Sequence, residues 1–339
     1  MSSQRRRKGS GRVTLADIAA KVGVSKITVS RAIRTPDKVS ESLRLKIQRC
    51  IDEQGYIPNR AAGALASSHS QTIALLVPSF SNTVFTEVVK GVDEVMLSEG
   101  YQVLIGHSGY STLEEERLIE TFLQYAVDGV ILSGSQHTER ARRMLTQANI
   151  PVVEMMELAD NPLGVSVGFD QVQAGKAVTE YLIGKGHKTI GFAGARMDHR
   201  AQQRLRGWRE AMWQAGLSDD LLITSQAPSS YAMGANLLAE FVQRWPDLDA
   251  LFLCNDDLAA GALFECQRRN IRVPHDLAVI GFNDLPIAAS TAPSLTTVAT
   301  PRYEVGVRSA KELLRMLNEE EVSESRIDLG FEVKARESA

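Results

Sequence analysis

Residues 14–33 read TLADIAAKVGVSKITVSRAI, and this stretch holds two short helices with a sharp turn between them. Thr14 stands where a helix cap belongs, with Asp17 three residues on to complete a capping box. Ile18, Ala19 and Val22 fall on one helical face. Gly23 then permits the left-handed backbone that stops a helix, and Ser25 opens the next one. Val24, Val29 and Ile33 turn inward from the second helix. A small residue, a turn glycine and an apolar residue at the spacing of Ala19, Gly23 and Val29 let two helices cross closely, as a helix-turn-helix requires.

That geometry assigns roles to the outer face. The start of the second helix enters the major groove, so Lys26 and Ile27 are placed to touch base edges. Thr28, Ser30, Arg31 and Arg34 suit phosphate, as do Thr14 and Ser25 at the helix starts. A third helix begins at Ser40, carries Leu43, Ile47 and Ile51 at helical spacing, and stops at Gly55. The next residues, YIPNRAAGALASSHS, contain Pro58, which cannot continue a helix, and Asn59, which can cap a short one through Arg60 and Leu65. So small a helix has little to bury alone. Two roles are open to Leu65: a wedge into a minor-groove base step, or packing on a neighbouring domain.

Charge divides the chain at the same place. Overall, 38 Lys and Arg stand against 41 Asp and Glu. Residues 1–60 hold 14 of those cations and only 5 of the acids, a net +9, which leaves −12 on the remainder. A cationic head on a body that repels polyanions points to nucleic acid. No apolar run is long enough to span a bilayer, and the leading arginines run into polar residues, so the expected location is cytoplasmic with no membrane partner. Three cysteines, Cys50, Cys254 and Cys266, are an odd number without C-x-x-C spacing, which argues against a disulfide framework or a zinc site.

From Gln71 onward, short apolar strands alternate with amphipathic helices. TIALLVP, YQVLIGH, DGVILSG, IPVVEMM and VSVGFD are followed by KTIGFAG, LLITSQ, ALFLCN and LAVIGFN. About nine strands in such alternation form two doubly wound parallel-sheet lobes rather than one sheet. The expected organisation is a head over 1–57, a hinge over 58–70 and a sensor over 71–339. Within the sensor, lobe one covers about 71–166 and 296–325, and lobe two about 167–295. Ligands of open α/β sheets bind beyond the carboxyl ends of the strands, so the two lobes close on a ligand between them. The body has no dinucleotide fingerprint, phosphate loop or nucleophile elbow, and no histidine pair at metal spacing, so neither enzyme nor cofactor is expected. Asp256 or Asp257, at a strand-to-helix junction, reads as a helix cap.

The head and hinge segments resemble those of the LacI/GalR family of transcription regulators. The resemblance continues through SNTVF, GVDEVMLSEGY, DGVILSG, GHKTIGFAG, RLRGW, CNDDLAAGAL and VIGFNDLPIA. It implies a homodimer on a pseudo-palindromic DNA operator, with paired hinge helices whose leucines enter the minor groove, a role Leu65 matches. It also implies a periplasmic-binding-protein-like core that senses a small molecule. Carried over position by position, Phe85 matches an apolar effector contact, and Asp170, Arg204, Asn255 and Asn283 match polar ones. Sugar-binding members often carry Asp where Asn283 stands, and losing that anion suits a ligand with its own negative charge, held by Arg204 in a bidentate fork. The gluconate-type repressors are the most similar subgroup, and Arg196, Arg200, His107, His137 and Glu157 lie in segments shared with them. The expected function is therefore a repressor controlled by a sugar acid such as gluconate or 2-ketogluconate. Alternatives are a family member answering to a neutral sugar, one that needs a corepressor, or a sugar-acid enzyme fused to a DNA-binding head.

Overall fold

Thr14 donates to Asp17 Oδ2 from both its backbone N–H and its hydroxyl, each at 2.8 Å, which fixes the start of helix α1 (Leu15–Val22). In the computed structural model, which describes residues 13–57 and 69–339, the chain divides into two units, residues 1–70 and 71–339. In the first unit Gly23, at φ 79° and ψ 35°, returns its N–H to Ala19 O and ends α1. Ser25 Oγ then accepts from Thr28 N at 3.1 Å and starts α2 (Lys26–Arg34). Helix α3 (Glu41–Gln54) stops at Gly55, again left-handed. Ile18, Val22, Val29, Ile47 and Ile51 meet in one buried cluster, with Val24, Ile33 and Leu43 at its edge. A helix this short has little stability alone, so burial of each large side chain, about 1.5–3 kcal/mol, is what holds the three together.

The second unit opens with β1 (Thr72–Val77), whose alternate residues show why this sheet is covered on both faces. Ile73, Leu75 and Val77 enter one apolar cluster, and Ala74 and Leu76 enter another. The first cluster is completed by α4 (Val84–Ser98), through Phe85, Val88, Val92 and Met96. The second is completed by α5 (Thr112–Gln124) and α6 (Glu139–Ala148). The sheet also contains β2 (Gln102–His107), β3 (Gly129–Ser133), β4 (Val152–Met155) and β5 (Val165–Gly168). All its pairings are parallel, with β1 between β2 and β3.

After Gly168 the chain changes lobes. Helix α7 (Gln171–Gly184) leads into β6 (Ile190–Ala195), α8 (His199–Gln214), β7 (Leu222–Ser225), α9 (Tyr231–Arg244), β8 (Ala250–Leu253), α10 (Asp256–Arg269) and β9 (Ala278–Ile280). These strands form a four-stranded sheet in the order β7-β6-β8-β9, and Phe192, Trp208, Phe241 and Phe252 lie in its core. The chain continues through α11 (Pro286–Ser290) and β10 (Thr297–Ala299) to α12 (Arg302–Leu317), then β11 (Arg326–Asp328) and β12 (Glu332–Lys334). Val305, Ala310 and Leu313 of α12 pack in the first lobe's core, as the sequence predicts for that late helix.

Two lobe boundaries differ from the sequence reading. A limit at Val167 falls inside β5, whose hydrogen-bonded partners are β4 and β11, so β5 belongs to the first sheet. Residues 326–328 join the same sheet, while Leu295 and Val298 pack in the second lobe's core, so the return to lobe one starts at α12 and not at 296. Pairing partners distant in sequence decide both points, and no local pattern carries them. The hinge residues Asn59, Arg60 and Leu65 lie outside the described residues, as does the side chain of Arg34.

Candidate functional site

On the head, the outer face of α2 is the candidate DNA surface. Ile27 is 64% exposed while Val29 of the same helix is fully buried. Lys26 and Arg31 are exposed beside it, and Thr28 and Ser30 are half-buried. A large apolar side chain left in water between cations, at the start of a helix, is placed for thymine methyl groups and base edges. Thr14 and Ser25 use their hydroxyls to fix the starts of α1 and α2, so their contribution to such a surface includes holding its shape.

In the second unit, a cleft between the lobes is lined by Phe85, Tyr110, Arg196, Arg204, Asn255 and Asn283 among others. Arg204 is its most constrained member. Its Nε donates to Gln171 Oε1 at 2.8 Å, its Nη1 donates to the Cys254 carbonyl at 2.7 Å, and its guanidinium stacks 3.7 Å from the Phe282 ring centroid. Burial pulls its pKa down to about 10, so it remains a cation at neutral pH. No carboxylate lies within 4 Å of it among the described residues, and its Nη2 makes no hydrogen bond to them. With Nε already engaged, the fork expected from sequence narrows to contact from the Nη end. Asp198 and Asp256 act on Arg204 only from beyond ion-pair distance, so a buried cation with free donors and no carboxylate in contact has room for an anion.

The other arginines differ. Arg196 lies over Tyr110, 4.1 Å from its ring centroid, and has no acidic partner within 4 Å among the described residues. Arg200 faces Asp198 at 3.7 Å and donates to Ser133 Oγ at 3.2 Å, which joins the two lobes. Burial would raise the pKa of Asp198, but Arg200, the Ala201 N–H, Arg204 and Arg196 together outweigh it and hold the carboxyl below its ordinary range. Asn255 caps α10, its Oδ1 accepting from Leu258 N and Ser229 Oγ, so the cap is Asn255 and neither Asp256 nor Asp257. Asp256 is buried instead, accepting from Leu285 N at 2.7 Å and Thr297 Oγ1 at 2.6 Å, and burial pushes its carboxyl up to about 6. Asn283 sits at φ 116°, an uncommon backbone for a non-glycine, and Arg302 and Thr300 hold its carbonyl there.

Of the effector residues expected from sequence, Phe85, Arg196, Arg200, Arg204, Asn255 and Asn283 share this cleft, and Glu157 lines a chamber next to it. Three fall elsewhere. Asp170 caps α7 by accepting from Val172 N and Gln173 N. His137 is enclosed between Glu115 and Glu154, 2.6 and 3.0 Å away, and so holds lobe one together. His107 ends the outer strand β2, edge-on to Phe80. Sequence reasoning missed Gln171, Tyr110, Asn82, Asp198 and Ser229. Only Asp198 carried a signal, since it sits between two of the candidate arginines.

A helix-turn-helix head joined to a two-lobed α/β sensor has counterparts among known proteins. Residues 14–59 match the model of bacterial regulatory proteins of the lacI family, and residues 179–339 match a periplasmic binding protein-like domain. The chain is 44% identical over 330 residues to the HTH-type transcriptional regulator GntR of Pseudomonas aeruginosa, covering 97% of this chain and 96% of that one. The chain belongs to the LacI family. Among solved structures, the transcription regulator GntR from Chromobacterium violaceum is 46% identical at a TM-score of 0.77, over 79% of this chain and 98% of that one. A LacI-family regulator from Silicibacter pomeroyi is 33% identical at a TM-score of 0.91, over 96% and 99%. This LacI-family protein is a DNA-binding transcription regulator, and its relatives are named for regulation rather than catalysis. No helix among its described residues is long and apolar enough to cross a membrane.

Proposed function

We propose that this regulator acts in the cytoplasm as a homodimeric repressor on a pseudo-palindromic operator, and that a sugar acid such as gluconate or 2-ketogluconate controls its affinity for DNA. The observation that carries the effector class is Arg204: buried, charged, stacked on Phe282 and without a carboxylate within 4 Å among the described residues. A ligand carboxylate supplies the ion-pair contact that Arg204 does not make within the chain, and Asn283 and Asn255 bond hydroxyls without repelling it. The dimer reading is supported by β2, an edge strand that exposes Leu104 and Ile105, which a second copy of the chain would cover.

The domain reading of 1–57, 58–70 and 71–339 places operator contacts and effector on different units, so control is linkage: an acid that prefers the DNA-free form releases the operator, and one that prefers the bound form tightens it. Lys26 and Ile27 read bases, while Thr28, Ser30, Arg31, Arg34, Asn59 and Arg60 position the duplex and Leu65 opens the central step. Footprinting of the full-length protein with and without gluconate, 2-ketogluconate and glucose tests this. A footprint altered by the acids and not by glucose supports it. Equal response to glucose overturns the sugar-acid assignment, and absence of any protected site at low salt overturns the operator assignment.

A further inference from the structure

A second chamber adjoins the cleft, and Tyr110, Asp198 and Arg200 line both. Glu157 lines this chamber and is only 3% exposed. Its Oε1 accepts from Ser135 N at 2.6 Å and from Ser135 Oγ at 3.1 Å. Its Oε2 is buried and has no hydrogen-bond partner among the described residues. His199 Nε2 stands 3.9 Å away, beyond hydrogen-bond reach, and is engaged by Gln203 instead. Around it the walls carry Ser108, Ser133, Gln136 and Glu115. A buried carboxylate oxygen left unpaired is costly, and in a binding chamber it marks the place of a donor that arrives with the ligand.

We propose that this chamber is a tail subsite in which Glu157 accepts hydrogen bonds from the hydroxyls of an open-chain sugar acid whose carboxylate lies at Arg204. This rests on the sugar-acid reading and adds an orientation and a length to it. The two chambers differ in chemistry: in the cleft Arg204 and Arg196 have no carboxylate within 4 Å among the described residues, with Asp198 farther off, and in the second chamber Glu157 Oε2 has no donor among them. A monocarboxylate is therefore fixed head to tail, because the reversed pose sets its charge against Glu157 and leaves Arg204 unpaired. A three-carbon acid satisfies only the first chamber. A dicarboxylate of six carbons meets Glu157 with a like charge.

The test is calorimetric binding of D-gluconate, D-glycerate and D-glucarate to the full-length protein and to Glu157→Gln, which keeps a carbonyl oxygen for Ser135 and puts a donor where the free oxygen stood. In the wild type gluconate is expected to bind at least about tenfold more tightly than either other acid, the value of one hydrogen bond to a charged group. In Glu157→Gln gluconate weakens about tenfold, glycerate stays within about twofold, and glucarate strengthens. Equal wild-type affinity for all three acids overturns the proposal and needs no variant, so it remains decisive if Glu157→Gln melts early. Equal weakening of gluconate and glycerate overturns it too. Binding of glucose with no acid bound defeats the sugar-acid reading itself and this proposal with it, a result distinct from acids binding without regard to length.

Discussion

Arg200 on α8 donates through Nη1 to Ser133 Oγ at the end of β3, 3.2 Å away, so one guanidinium ties the second lobe to the first across the effector cleft. The same arginine is held from its own lobe by Asp198, and Phe85 of α4 packs 5.4 Å from it. Ser133→Ala removes the tie without disturbing β3, where Ser133 is the terminal residue. The effector concentration for half-maximal change in operator affinity should rise by about fivefold, near 1 kcal/mol. Anisotropy titration on an operator fragment reads the shift, and a midpoint unchanged within twofold would mean that the bond does not contribute to closure.

Arg204→Met keeps much of the aliphatic stem on Phe282 but deletes the cation. Effector affinity should fall at least about hundredfold, the usual range for truncating one partner of a buried charge pair. Operator binding without effector should be unchanged. Calorimetry and footprinting check the two halves separately, and undiminished effector affinity would remove Arg204 from the site.

The buried His137 predicts a pH dependence of stability. Burial alone would lower its pKa, but Glu115 and Glu154, bonded at Nδ1 and Nε2, raise it to about 9 from an ordinary 6.5. A group whose folded pKa lies above its unfolded one contributes fully below pH 6.5 and loses its contribution as pH rises through 9. The amount is about 3 kcal/mol as an order of magnitude. The melting temperature of the full chain should therefore fall between pH 7 and pH 9.5, and His137→Gln should be less stable at pH 7 and lack that slope. A wild-type curve flat over this window would show that the histidine is not charged in the folded state.

The head was the most legible part of the chain, because its signals are local: Thr14, Gly23 and Ser25 each act within four residues, and each does so in the structure. The alternating lobes were legible for the same reason, strand by strand. The cleft was less so. Asp170 was carried over as a polar contact from the family resemblance, and an acid before a helix has the same sequence whether or not it caps; in the structure its carboxylate caps α7. His137 took its role from Glu115 and Glu154, two segments away in either direction, which no spacing reveals. Gln171 and Tyr110 were missed because only the meeting of distant strand ends gives them a part.

On the head, Lys26→Ala and Arg31→Ala should separate base reading from phosphate binding. Lys26→Ala is expected to change the preferred base at one position of each half-site, with discrimination reduced by about 1–3 kcal/mol. Arg31→Ala should weaken all sequences alike and reduce the slope of log affinity against log salt by about one per site. Anisotropy over a panel of operator variants at several salt concentrations measures both. A sequence-dependent loss in Arg31→Ala would assign that side chain to base contact instead.

The position of Arg204 depends on how closely α7 and α8 approach. A Cβ on Gly175 would lie 2.4 Å from the Arg204 carbonyl oxygen and 2.8 Å from its Cα, so only backbone movement makes room. Gly175→Ala should therefore destabilise the protein by about 1–3 kcal/mol. It should also weaken the effector, because Arg204 moves while Phe282 and the Cys254 carbonyl, on other elements, stay. Gly184 of the same helix has no atom of the described residues within 4 Å of its Cβ site, so Gly184→Ala should leave the effector constant unchanged and stability equal or slightly higher. Thermal melts give the first quantity and calorimetry the second. Effector affinity retained in a destabilised Gly175→Ala would show that the guanidinium is positioned by Gln171 and Cys254 alone, independent of the helix crossing.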